Sequence, residues 1–378
     1  RTIQLLPSVS ASNDFNAALI VRGGSPDENL VMLDGAQIYN PYHIGGVFST
    51  FNSDMIADTE FLAGGFPAEY GGRLSSVLNI TAREGDSKNG RLPDSFPLKK
   101  YWDFSQVKGD ISLLSSKLLV EGPLYNGSWM LSGRRTYFDK FVDMYYSSKD
   151  ETSPFNYYFW DTHFKAKTAL TPNNIFSYSQ FAGKDNLMMS FGGDGFPEIN
   201  FNWNWGNATN QLSWKYIPTS NYIIETNLTN TEYKFNVDFS IDIPSVDTTD
   251  TVEESSGEAD ISMNIDNIVR DFSIDQSINY IYSEGLKFKL GWEAKNLYMD
   301  YREEFAGVER SNLNSEPHIN SIYGNMVWNP LPLFHVNTGL RVANYNRYDG
   351  YQIDPRISFK YNPTPDLALK ASWGIFTQ

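Results

Sequence analysis

The chain has 378 residues, no cysteine, a formal net charge of −15 and a mean hydropathy of −0.41. These values exclude disulfide frameworks and thiolate metal sites, and the acidic balance leaves no basic face for nucleic-acid phosphates. No stretch approaches the roughly 18–20 apolar residues of a spanning helix, yet aromatic residues reach 15%, a level usual where rings line membrane interfaces.

Arg1-Thr2-Ile3-Gln4-Leu5-Leu6-Pro7 has no signal-peptide pattern and reads as the interior of a longer sequence. From there to about Gly85, the glycine-rich sequence predicts a small mixed α/β domain. Ala18 to Val21 is a short apolar strand. Leu30 to Tyr39 is the clearest hairpin, because Asp34-Gly35 supplies the positive φ of a two-residue primed turn between apolar runs. Phe51 to Asp58 is expected to be a short helix. Thr59 to Leu62 and Ser76 to Thr81 are expected strands, separated by the loop Gly64 to Arg73. The pairs Gly23-Gly24, Gly64-Gly65 and Gly71-Gly72 mark turns or closely packed backbone. Residues 1–85 therefore form one domain, 86–98 a linker, and 99–378 a second domain of different character.

That second domain alternates with period two. Leu286, Phe288, Leu290, Trp292 and Ala294 interleave with Lys287, Lys289, Gly291, Glu293 and Lys295, and Phe334 to Val342, Ile353 to Tyr361 and Leu367 to Ile375 repeat the pattern. One face suits lipid and the other a wet lumen, although a soluble β-sandwich gives the same alternation. Turn chemistry favours the membrane. Short Pro/Asn/Gly turns recur at Leu124 to Gly127, Thr171 to Asn174, Pro218 to Asn221, Ser283 to Gly285, Pro330 to Pro332 and Pro363 to Asp366. Longer polar connections are expected at Phe138 to Pro154, Asn186 to Asn200, Ile243 to Gly257, Tyr301 to Pro317 and about Asn346 to Tyr351. Short turns on one side and long loops on the other are the asymmetry of outer-membrane barrels. The fold class is thus mainly β, with about 13 antiparallel transmembrane strands between about Tyr101 and Gln378.

Catalysis has no visible apparatus: Gly-x-Ser-x-Gly, a phosphate-binding loop and His-Glu-x-x-His are all missing from the sequence. No catalytic residue, metal site or cofactor is assigned. His43, His163, His318 and His335 lack metal-ligand spacing and read as solvated or interface residues. The acidic run holding Asp242, Asp247, Asp250, Glu253, Glu254, Glu258 and Asp260 reads as a solvated loop; Ca²⁺ binding is the alternative, without EF-hand spacing to support it.

The run VRGGSPDENLVMLDGAQIYNPYHIGGVF, followed by GGFPAEYGGRLSSVLNITAREG, resembles the plug of TonB-dependent outer-membrane transporters in the style common among Bacteroidota. Gly122-Pro123-Leu124 and Ser132-Gly133-Arg134-Arg135-Thr136-Tyr137 resemble the start of that family's barrel. The resemblance implies a 22-stranded barrel around the plug, of which about 13 strands are present. It also implies active uptake of a glycan, peptide, siderophore or similar ligand, with energy from the TonB/ExbB/ExbD complex. Outer-membrane lipid and a surface lipoprotein are further expected partners. The energy-coupling peptide and the rest of the barrel would lie outside residues 1–378, because an open sheet edge cannot stand alone in hydrocarbon. Arg22, Glu69 and Arg73 are the charges expected to pair plug with wall, or alternatively to stabilise the plug's own turns. Tyr39, Asn40, Tyr42 and His43 follow the hairpin where the family's plug faces the ligand; gap-filling between plug and wall is the other reading. Phe196, Trp203 and Trp205 are loop-side ligand candidates, with an aromatic girdle the competing role for the tryptophans. A docking barrel without transport is the rival function.

Overall fold

The computed structural model describes residues 8–10, 19–46, 48–86, 105–149, 151, 153–193, 196–243 and 261–378. A small sheet domain packs against one face of a long antiparallel wall.

In the small domain, β1 (Val9–Ser10) pairs antiparallel with β2 (Ile20–Val21). A 3-10 turn at Pro26–Glu28 leads into β3 (Asn29–Leu33), which reverses at Asp34-Gly35 into β4 (Ala36–Gln37). Asp34 and Gly35 have φ of +51° and +94°, the double left-handed geometry that a primed turn requires. β5 (Tyr42–His43) pairs with β6 (Phe48–Ser49). The helix expected over Phe51 to Asp58 does not form. Asn52 accepts a hydrogen bond from the Asp54 amide at 3.1 Å and caps a single 3-10 turn, Ser53–Met55. From Ile56 the chain is β7 (Ile56–Ala63), paired with β8 (Ser76–Ala82). Sheet pairing by Ile56 and Thr59, β-branched residues that suit strands, prevails over the local helical reading. The sheet order is β4-β3-β8-β7, with β3 and β8 parallel. Val21, Val31, Leu33, Ile38, Met55, Leu78 and Ile80 form its core, and wall residues Leu119, Met130 and Phe181 join it.

The wall begins with β9 (Gln106–Ile111), β10 (Ser115–Leu124) and β11 (Gly127–Thr136). Helix α1 (Phe138–Ser147) then fills part of the first long connection. β12 (Phe155–Thr171), β13 (Asn174–Gly193), β14 (Phe196–Thr219), β15 (Tyr222–Asp242), β16 (Ile261–Ser283) and β17 (Leu286–Phe305) follow. β18 (Val308–Ser315), β19 (His318–Trp328), β20 (Phe334–Tyr345), β21 (Tyr351–Thr364) and β22 (Leu367–Gly374) complete it. These 14 strands form one sheet in sequential order, except that β18 stands off the path and pairs only β17. The continuous path thus has 13 strands, as the alternation predicts.

Two expected loops are strands instead. Asn186 to Asn200 pairs across β13 and β14, and Tyr301 to Pro317 holds the end of β17 and all of β18. Asparagine and serine, read as loop formers, here lie on extended hairpins whose paired backbone outweighs local preference. Most of the acidic run, the linker 87–98 and Tyr101 lie outside the described residues.

Inner and outer faces alternate along each wall strand. On β12, Tyr157, Phe159, Asp161, His163 and Lys165 are buried toward the small domain, while Leu290, Trp292, Ile322, Leu340 and Ile353 are exposed on the outer face of later strands. Near the short turns, outer rings stack in pairs, Phe176 on Trp214, Tyr222 on Tyr280 and Phe334 on Tyr361, an aromatic belt at one edge of the apolar band.

Candidate functional site: the interface between small domain and wall

The sharpest contact is built on Asp34, the turn residue of the β3–β4 hairpin. Its carboxylate accepts from Lys165 Nζ at 2.6 Å, Ser179 Oγ at 2.7 Å and the Ala82 amide at 2.9 Å, and lies 3.3 Å from His163 Nε2. The Asp34 and Lys165 side chains are only 4% and 8% exposed, so this pair counts as a buried ion pair. Burial alone would raise the Asp34 pKa; the His163 hydrogen bond and the Lys165 ammonium reverse this and hold it at about 2. Sequence reading took Asp34 for its turn geometry alone. The missed signal is that lysine and histidine alternate at His163 and Lys165 on the lumenal face of one wall strand.

A second cluster surrounds His43. Its Nδ1 lies 2.6 Å from Asp185 Oδ2, and its ring stacks on Phe159 with centroids 3.8 Å apart. Nε2 is 3.7 Å from Asp161 and has no hydrogen-bond partner among the described residues. Asp161 accepts from Arg134 Nε at 2.6 Å, and the same guanidinium donates to the Ser49 carbonyl at 2.8 Å. Tyr157 donates to Asp185 at 2.6 Å. Burial pulls the His43 pKa down, but hydrogen bonds and charge from Asp161 and Asp185 outweigh it and hold the imidazole above its ordinary value.

A third cluster grips residues 66–70. Arg356 donates to the carbonyls of Pro67 at 2.7 Å and Tyr70 at 2.6 Å, and Arg341 to that of Glu69 at 3.1 Å. The Ala68 amide donates to Asn325 Oδ1 at 2.8 Å. Arg83–Glu121, Lys117–Asp54 and Lys167–Glu84 bridge the two bodies elsewhere, at 2.7–2.8 Å.

The charges named from sequence sit unequally. Glu69 pairs with Lys289 of the wall. Arg22 is exposed at φ +51° and has no carboxylate partner among the described residues. Arg73 donates to the Gly72 carbonyl at 2.7 Å while its Nε is buried without a partner among the described residues. Burial lowers the Arg73 pKa, opposed by Tyr39, Asp27 and Asp271.

The aromatic candidates converge at the loop-side half of the interface. Tyr39 donates through its hydroxyl to Asp271 at 3.2 Å, and Asn207 donates to the Asn40 carbonyl at 3.0 Å. Tyr42 accepts from the Leu19 amide at 3.2 Å, and Trp205 Nε1 donates to the Tyr42 carbonyl at 3.3 Å. Trp203 and Trp205, centroids 4.5 Å apart, belong to an inward cluster with Tyr157, Leu187, Phe235 and Ile44. The girdle role is therefore corrected: both rings point to the lumen, because Trp205 shares the pleat face of buried Asn207 and Thr209. His43, at 1% exposure, is inside the contact and not at its surface. The Phe196 side chain lies outside the described residues.

Below these clusters a cavity of about 440 Å³ separates the bodies, lined by Asn79, Thr81, Ser177, Gln211, Ser213 and Thr229 among others. The sheet domain is thus held against the wall largely by charged and polar contacts, with a polar-lined gap beside it. Residues 1–76 match the model described as TonB-dependent Receptor Plug Domain. Residues 1–76 carry the plug domain that this model describes. The ferric enterobactin receptor PfeA of Pseudomonas aeruginosa is similar in structure, at 14% identity and TM-score 0.61, over 99% of this chain and 58% of that one. FpvA of P. aeruginosa, solved with pyoverdines, matches at 12% identity and TM-score 0.65 over 96% and 52%. The siderophore receptor PirA of Acinetobacter baumannii matches at 14% and 0.60 over 99% and 57%. The chain thus has the receptor fold and spans under two thirds of these relatives' length. No curated protein matches it by sequence. In the plug's frame, the short turns mark the end of the wall where its β3–β4 hairpin points, and Tyr39 to Ile44 the opposite, loop-side end.

Proposed function

We propose that this chain is the plug and part of the barrel of an outer-membrane transporter that takes up a ligand at the expense of energy delivered by TonB/ExbB/ExbD. The observation that carries the reading is the chemistry of the plug–wall contact. Most of it is ion pairs and hydrogen bonds beside a polar-lined gap; the half-exposed pairs Lys117–Asp54 and Lys167–Glu84 are contacts that water replaces at low cost when the plug shifts, while the buried Asp34–Lys165 and His43–Asp185 contacts set its register. An obligate, immobile domain contact is typically more apolar.

Ligand capture is placed at the loop-side cluster. Tyr39, Tyr42, Trp203 and Trp205 offer ring faces with hydrogen-bonding edges and Asn40 an amide, and Trp203 Nε1 has no partner among the described residues. His43 acts behind them, tying the ligand-facing segment to Asp185. Arg22, Glu69 and Arg73 complete the charged plug surface, Glu69 through Lys289.

The test is uptake by cells producing the full-length protein, on a panel of glycan, peptide and metal-chelate ligands. Accumulation that requires both the proton gradient and TonB, and that falls at least tenfold in Trp203→Ala/Trp205→Ala, is expected. Equal accumulation without TonB would overturn the transport reading and leave a docking barrel.

A further inference from the structure

The wall changes character along its own strands. Near the short turns, Ser179, Gln211, Thr229 and Ser273 stand in register on the lumenal face, and Tyr178, Leu212, Leu228 and Ile274 on the outer face beside them. That is the polar-inside, apolar-outside order of a membrane barrel. Toward the loop side the order inverts. The first lumenal row above Trp205 runs Leu187, Trp203, Val237, Ile265. The next runs Met189, Phe201, Phe239, Met263, and the last Phe191, Ile199, Ile241, Ile261. On the outer face between them, Asn202, Asp238 and Asn264 are in line, as are Asn204, Asn236 and Asp266, with Asn236 donating to Asp266 Oδ1 at 2.8 Å.

These rows stand clear of lipid. Met189 lies about 50 Å along β13 from the short turn before Asn174, roughly 38 Å of height at a tilt of about 40°. A barrel's apolar band is about 25 Å tall, so water reaches both faces of the sheet at this level. Phe191, Ile199 and Ile261 are 55%, 37% and 37% exposed, and a continuous apolar surface left open to water marks a binding surface. From β13 to β16 no charged residue stands on the three rows. At β17 they meet one acid, Glu303, and one base, Arg310 over the Phe305 ring at 5.8 Å. Downward the face is continuous with the plug, because Ile44 packs in the same cluster as Leu187, Met189, Phe201 and Trp203.

We propose that this lumenal face binds the apolar body of an uncharged ligand and passes it down to the plug segment Tyr39 to Ile44. The proposal rests on the transport reading of that same site and narrows its ligand class. A charged ligand would lose hydration against rows that offer no counter-ion, and an anion would also approach a chain of net charge −15. Hydrocarbon laid against Phe201, Phe239 and Met263 removes their apolar surface from water together with its own. Met189 and Met263, unbranched and flexible, let the face fit bodies of different shape.

The test uses the full-length protein in amphipol, titrated with two dyes that share one ring system. N-phenyl-1-naphthylamine is uncharged, and 8-anilinonaphthalene-1-sulfonate adds one negative charge. Saturable binding of the uncharged dye, about tenfold or more tighter than the sulfonate, is expected, read by energy transfer from tryptophan. Phe201→Ala/Phe239→Ala should weaken it about tenfold through lost apolar contact, and Phe201→Lys should reverse the preference. Asn202→Lys, one residue along and on the outer face, should leave it unchanged. Wild-type binding no tighter than that of Phe201→Lys would overturn the site, by showing that the rest of the chain covers the face. A wild-type preference for the sulfonate would overturn it as well. Heat-modifiable gel mobility reads barrel formation in every variant. Uptake is scored separately: TonB-independent accumulation with the dye preference intact would sink the transport reading alone, and TonB-dependent accumulation with no dye preference would sink the apolar site alone.

Discussion

At Asp34 one side chain serves two ends. Its backbone adopts the left-handed turn, and its carboxylate neutralises Lys165 inside the plug–wall contact. Removing one partner of a buried pair strands the other charge, at a cost of about 3–5 kcal/mol. Asp34→Ala is therefore expected to lower the denaturant midpoint of plug release strongly, while Asp34→Ala/Lys165→Met recovers much of the loss; urea titration with a plug-specific fluorescence probe measures both. Gly35→Ala is expected to cost about 1–2 kcal/mol for a left-handed residue with a Cβ, with Gln211 displaced, since that Cβ would lie 2.6 Å from its amide nitrogen. His43 makes the same contact respond to pH. Its pKa is raised on folding, so its contribution is full below the unfolded value of about 6.5 and is lost as pH rises through the folded value. The groups facing it are Asp161, Asp185 and, through Asp161, Arg134. Protease protection of the plug should fall as pH rises through that window, and His43→Gln should flatten the profile; an unchanged profile would show that the imidazole does not govern docking.

At the scale of the element, the segment 66–70 has no regular structure and is positioned by wall side chains. Arg356 holds two of its carbonyls through one guanidinium nitrogen, Nη1, while Nη2 donates to Asp354, a division between two nitrogens that a lysine ammonium cannot reproduce. Arg356→Lys is expected to free this segment by about 1.5–3 kcal/mol of lost charged hydrogen bonding, seen as faster amide exchange at Ala68 to Tyr70 with the β3–β8 sheet unchanged. Which elements were legible in the sequence follows from the same physics. The Asp34-Gly35 hairpin, the short turns and the lipid-facing alternation are written in local residue chemistry, and each forms where expected. Phe51 to Asp58 misled because the short helix expected there gives way to pairing with β8, a partner distant in sequence. The Asn-rich hairpin of β13 and β14 misled because loop residues were extended by pairing. Within the interface, Glu69 was legible as a lone acid in a glycine loop. Arg134, Arg341 and Arg356, which do more of the gripping, were hidden because a lumenal arginine looks in sequence like any polar position of a wet face.

For the whole molecule, the plug's own core and its attachment to the wall are chemically different. The core is mainly aliphatic, whereas the attachment combines apolar contacts through Leu119, Met130 and Phe181 with ion pairs and hydrogen bonds. Full-length protein in detergent is therefore expected to unfold in two transitions, plug first and wall much later. Raising salt from 0.1 to 1 M should lower the first midpoint by screening the half-exposed pairs Lys117–Asp54 and Lys167–Glu84; coincident transitions at both salts would contradict this. The topology of the small sheets also sets how the plug answers to tension. β1 and β2 are antiparallel, so the N-terminal end of β1 and the end of β2 that leads into the plug body lie side by side. A pull from the N-terminal side of Ser8 opens that pair one bond at a time, like a zipper. β3 and β8 are parallel, so the same pull, held at the far end of β8 by Arg83 and Glu121, loads all five paired positions at once. The plug is thus a graded mechanical fuse: its first strand yields under small force, while the sheet that carries Asp34 resists in shear and moves as a body.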